Sequence, residues 1–168
     1  MKLKKDKKLE KIAEDVKYEI YMFRLTTKYL YCYSNKVNTN EKDKFLINVL
    51  LESFGIHAYN LFKFFYQGER EKKNNRQIKR KSSDVIAEDF HIRRRFFRSD
   101  RTPKQKLKII ENKRNKQIAH LTYNRIYKNK RTKPWNFGLI SKYMEQTIEA
   151  FIKSLPAKHD RLFNQNQR

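Results

Sequence analysis

The residues of this chain best suited to chemistry are Arg114 and His120, in the stretch Arg114-Asn115-Lys116-Gln117-Ile118-Ala119-His120. Histidine titrates near neutrality, so it can both take and give a proton. Arginine stays charged and holds phosphoryl oxygens in a fixed fork. These are the two groups that metal-free RNA cleavage needs, in which the ribose 2′-hydroxyl attacks the adjacent phosphate, and that is the chemistry expected of them. His120 is then the general acid/base. Arg114 is expected to bind the scissile phosphate and stabilise its transition state, and Asn115 to orient the histidine or the phosphate. Lys113, Lys116, Arg125 and Lys128 are expected to hold the backbone. Tyr123 and Tyr127 alternate with cations, an arrangement on which unpaired bases stack. Packing against the last helix is the competing use for both rings.

A helix must position these groups. Thr102 is the expected N-cap, Pro103 suits the first helical position, and Gln105 completes a capping box. The apolar stripe then runs Leu107, Ile110, Ile118, Leu121, and the slot between 110 and 118 falls to Arg114. A guanidinium facing inward is costly unless it is paired or wetted by a cleft. A conflict of this kind between pattern and residue is where function is sought. The alternatives are a buried ion pair of Arg114 with Glu52 or Glu111, and a packing histidine at 120.

The bulk composition sets the frame. With 168 residues, three Gly and three Pro, the chain is expected to be one all-α domain, since β-sandwiches and barrels need many turns. The net charge is +23, from 41 Lys and Arg against 18 Asp and Glu, so a polyanion is the expected partner, nucleic acid ahead of a membrane surface. One cysteine, Cys32, excludes an internal disulfide and is expected to fill core space. No Cys/His cluster has zinc spacing, and Glu10, Glu14, Asp15 and Glu19 interleave with lysines as a solvated face does. No metal or cofactor is therefore expected. The charged N-terminus and the want of about 18 consecutive apolar residues point to a soluble, cytoplasmic protein.

The elements read in order as follows. Residues 6–33 form a first helix on the stripe Leu9, Ile12, Val16, Ile20, Phe23, Leu30, with Thr27 in the gap. Asn38 or Thr39 is expected to cap a second helix, whose broad face of Leu46, Val49, Leu50, Phe54, Leu61, Phe62 and Phe65 suits a central helix or one that meets a second subunit. His57 on that helix is expected to be a satisfied core or groove residue. Residues 68–83 read as a basic mobile loop, with seven Lys or Arg among residues 70–81. Ser82-Ser83-Asp84 is expected to start a third helix through Ile86, Phe90 and Phe97. The fourth carries the Arg–His stretch. Asn136 is expected to cap the fifth, lined by Ile140, Met144, Thr147, Ile148, Phe151 and Leu155 and stopped at Pro156. The domain so drawn is 1–157, with 158–168 a loose polar tail. The fold expected is an up-and-down bundle of four to five helices.

In Arg114, Asn115, Ala119 and His120 the chain resembles the HEPN superfamily of all-α nucleotide-binding domains, many of them RNases, whose motif is Arg, a polar residue, and His after four to six positions. The Arg-Asn-Lys-x-x-Ala-His wording resembles the abortive-infection branch. The resemblance implies a homodimer whose two motifs meet in a shared cleft, a toxin or defence role, and a cognate antitoxin or regulatory protein as partner. Members paired with nucleotidyltransferase antitoxins carry a Tyr two places after the His, where Thr122 stands here. A six-residue offset is about 120° from eclipsed on a helix, which fits a site built from two chains or a distorted helix end. The rival expectation is a non-catalytic, basic, helical nucleic-acid-binding protein.

Overall fold

The computed structural model describes residues 2–36, 40–66, 72–73, 76–77, 85–91, 101–110 and 136–164. They are mostly helical, as composition led us to expect. The elements are α1 (Lys2–Ser34), α2 (Glu41–Tyr66), a two-residue antiparallel pair β1 (Lys72–Lys73) and β2 (Arg76–Gln77), a 3-10 turn (Ala87–Phe90), α3 (Arg101–Leu107), α4 (Phe137–Lys153) and α5 (Ala157–Asn164). Lys72 lies opposite Gln77, and Lys73 opposite Arg76.

Among the described residues the longest element is α1, 33 residues or about 50 Å. It buries Leu9, Ala13, Val16, Ile20, Phe23 and Leu30 on one stripe, with Ile12 at its margin. Thr26, not Thr27, closes the gap before Leu30. Its hydroxyl donates back to the carbonyls of Met22 (2.7 Å) and Phe23 (3.0 Å), which satisfies it inside the core. Thr27 sits at the edge and shares a 3.1 Å hydrogen bond with Ser141 of α4.

Helix α2 packs along α1. Asn40 caps α2, its side-chain oxygen accepting from the Asp43 N–H at 2.8 Å, so the cap falls just past the Asn38 or Thr39 expected. Those two residues lie outside the described ones. Lys36 Nζ, just past the end of α1, reaches Asp43 Oδ1 in the first turn of α2 at 2.7 Å. This contact holds the Asp43 carboxyl below, and the Lys36 ammonium above, their ordinary pKa ranges.

The two halves of α2 differ. From Phe54 to Tyr66 it is buried on most sides, by Phe54, Ala58, Leu61, Phe62, Phe64, Phe65 and Tyr66. Nearer its start Phe45 and Val49 are exposed, as is Ile56 on the outer side of the second half, so Val49 does not join the core face assigned to it. By length and composition α2 is apolar enough to cross a bilayer, a test that core helices also pass. Phe23 stacks on Phe54 (centroids 5.2 Å apart), and Phe54 meets Phe137 of α4 edge-on at 6.5 Å.

The other end of the core is an aromatic knot. Phe151 of α4 lies 5.4 Å from Phe64, 5.6 Å from Phe65, 6.0 Å from Phe90 and 5.3 Å from Phe163, each pair edge to face. Residues 85–91 serve this knot as a 3-10 turn with extended flanks at Ile86 and His91, where the start of a third helix was expected. Asp89 accepts from the Ile86 N–H and closes the turn. Two further expectations are corrected. Residues 157–164 are helical, not loose: His159 is buried and its Nδ1–H donates to the Phe90 carbonyl. Helix α3 already includes Arg101 and Thr102, so it begins ahead of the Thr102 cap. The basic loop expected at 68–83 falls, apart from β1 and β2, outside the described residues.

Candidate functional site

All nine residues singled out from the sequence lie outside the described ones. They are Arg114, Asn115 and His120, with Lys113, Lys116, Tyr123, Arg125, Tyr127 and Lys128. The structure does describe their approach. Leu107 and Ile110 are both 0 % exposed, so the stripe that leads to position 114 is core, and α3 packs on α4. At the next described residues α4 opens with Asn136 as cap, its Oδ1 accepting from the Leu139 N–H at 3.0 Å.

Several titratable groups outside that stretch have structural work. His57 is buried on α2, and its Nδ1–H donates to Glu19 Oε2 at 2.7 Å. Asn60 donates to the other oxygen of Glu19 at 3.1 Å. His57 is thus the satisfied histidine expected. Arg24 of α1 grips Glu145 of α4 with Nε and Nη2, the shortest contact being 2.8 Å. This hydrogen bond raises the guanidinium pKa further above its already high value. His91 lies between the turn and α4, 5.8 Å from the Phe151 ring. Burial pushes its pKa down, against a backbone hydrogen bond with Ser154 that raises it, and the neighbouring His159 lowers it again. Cys32 is exposed on α1, not the core filler expected. Among the described residues no group of three or more His, Cys, Asp or Glu is placed to hold a metal ion.

What the described residues do assemble is a groove of about 510 Å³ where α1 meets α4 and α5. Its floor is apolar: Ile20 of α1, Ile152 of α4 and Phe163 of α5. Its walls carry Tyr18 and Tyr21, which are 55 % and 60 % exposed although both are large rings. Glu14 stands at one end of the α1 face and Arg24 at the other, with Lys17 between them. Sequence reading missed this groove because it took that face of α1 as solvated charge. The available signal was Tyr18 and Tyr21 one turn apart beside Lys17 and Arg24.

No known family model, curated protein or solved structure matches the chain.

Proposed function

We propose that this chain is a metal-independent endoribonuclease of the HEPN type that cuts single-stranded or loop RNA. One observation carries the reading. In the sequence pattern Arg114 falls on the next stripe position after Leu107 and Ile110, two residues wholly shut from solvent, and a histidine follows at 120. The net charge of +23 supplies attraction for a polyanion. The helical character agrees with an up-and-down bundle, two copies of which would bring two Arg–His pairs to one cleft.

In the reaction His120 removes the proton of the ribose 2′-hydroxyl, and the oxygen attacks the adjacent phosphorus. Arg114 offsets the charge that builds on the phosphoryl oxygens, with Asn115 orienting the histidine or the phosphate. A protonated His120, its own or the second copy's, gives a proton to the departing 5′-oxygen. The products are a 2′,3′-cyclic phosphate and a 5′-hydroxyl. A cytoplasmic toxin or defence role, with a cognate antitoxin or regulatory partner, belongs to the same proposal.

The test is incubation of wild type, Arg114→Ala and His120→Ala with RNA in EDTA. Wild type cuts and leaves cyclic phosphate ends, and both variants lose on the order of 100-fold or more in rate. Equal cutting by all three, or none by wild type on several RNAs, refutes the enzyme. The groove of tyrosines and cations favours a second reading, a non-catalytic RNA binder. In that case His120→Ala changes nothing, and affinity falls with salt by about 0.7 log units per phosphate contact on single strands.

A further inference from the structure

We infer that the groove between α1, α4 and α5 is a binding subsite for one unpaired base of a single-stranded RNA. The inference rests on RNA as the partner in the reading above, but not on cleavage. Its size comes first. About 510 Å³ lies within the range of small-ligand clefts and admits a single nucleotide, not a duplex. Its chemistry comes second. The floor of Ile20, Ile152 and Phe163 offers a flat heterocycle an apolar seat. Tyr18 and Tyr21 project beside it on successive turns of α1 and stay more than half exposed. Exposed rings over an apolar floor are what stacked bases use, because every base has a π-face.

The charges select the orientation. Glu14 and Arg24 are ten residues apart on one face of α1, about 15 Å along the helix. The carboxylate end repels a phosphate but accepts hydrogen bonds from the N–H edge of a base. The Lys17 and Arg24 side attracts the phosphate that the base brings with it. Arg24 is held in place by Glu145, which takes its Nε and Nη2 and offsets its charge, so Arg24 offers a phosphate the remaining N–H groups of a fixed, 48 % exposed side chain, and Lys17 supplies most of the attraction. An apolar membrane segment would leave Glu14, Lys17 and Arg24 unsolvated. A metal ion would find one carboxylate where it needs several.

The test uses the full chain and a 2′-O-methyl oligoribonucleotide, which cannot be cut, with the matching duplex as control. Fluorescence anisotropy reads affinity. Tyr21→Ala is expected to weaken the single-strand complex about 10-fold, with duplex affinity and melting temperature unchanged, and Tyr21→Phe to restore it. Tyr18→Ala acts in the same direction, although Tyr18 also packs edge-on to His57 at 5.9 Å, so its melting temperature is read alongside. Wild-type affinity in the Tyr18→Ala/Tyr21→Ala double variant overturns the subsite. So does an equal loss on single strand and duplex, or a loss confined to anionic vesicles. The two readings fail separately. Cutting that ignores Arg114 and His120 removes the enzyme and leaves the subsite, whereas tyrosine variants that bind normally remove the subsite and leave the enzyme.

Discussion

Removing the carboxylate of Glu19 tests whether His57 is a structural histidine. The imidazole is 11 % exposed and the carboxylate 25 %, and they meet at 2.7 Å. In Glu19→Ala the His57 N–H faces the space the carboxylate filled, and Asn60 loses its acceptor at 3.1 Å. A hydrogen bond to a charged group contributes about 1.5–3 kcal/mol, and a donor left unsatisfied costs about 1–3 kcal/mol. Water reaches a quarter of the Glu19 side chain, which lowers the figure, and alanine in a helix returns a few tenths of a kcal/mol. The net expectation is about 1–2 kcal/mol of destabilisation. For a chain of 168 residues that is about 3–6 °C in melting temperature. Thermal unfolding followed by circular dichroism measures it, and the His57→Ala and double variants complete a cycle. Coupling of about 1 kcal/mol is expected. A shift under about 1 °C with coupling near zero would refute the pair as a structural contact. RNA cleavage by each folded variant should match wild type; selective loss of cutting would make His57 a functional group instead.

Two more expectations concern the two ends of α4. His91 carries a depressed pKa in the folded state, so the folded protein binds fewer protons there than the unfolded chain, and its contribution is lost as pH falls below about 6.5 toward the depressed value. Melting temperature should therefore fall between pH 7 and pH 5 (well above the carboxylate range), and His91→Asn should flatten that slope; an unchanged slope in the variant counts against the burial argument. Asn136→Ala removes the acceptor for the Leu139 N–H at the start of α4 and should cost about 1 kcal/mol in urea unfolding, with Asn136→Ser recovering most of it. An alanine variant as stable as wild type would mean the cap contributes nothing.

Elements with a clean period were legible in the sequence. The stripes of α1 and α4 follow helical spacing, and the buried residues fall on them nearly position for position. The cap at Asn136 was legible too, because an Asn before an apolar run has a local reason to be there. Residues 85–91 were not. Ile86 and Phe90 stand four apart, as on a helix, but the partners that hold Phe90 come from α2, α4 and α5. Three contacts distant in sequence outweigh a weak local preference. The segment 157–164 was misread for the opposite reason. Its buried or half-buried residues, His159, Leu162 and Phe163, have helical spacing, but three positions in a polar stretch are too few to stand out.

These two misread segments are what give the α1 groove its third side. Phe163 lies 5.5 Å from Phe90 and 5.3 Å from Phe151, and His159 is bonded to the Phe90 carbonyl. A 3-10 turn that presents Phe90 to α5 thus anchors the helix that brings Phe163 to the groove floor. A straight helix through 85–91 would turn the Phe90 carbonyl into its own ladder, where it would accept from a backbone N–H and not from His159. Without that anchor, α5 is eight residues long and too short to hold helical form by local propensity. The floor would then lack Phe163, and Tyr18 and Tyr21 would stand over an open face of α1. The groove is therefore a product of tertiary packing at the aromatic knot, and a reading of α1 by itself sees only tyrosines among lysines.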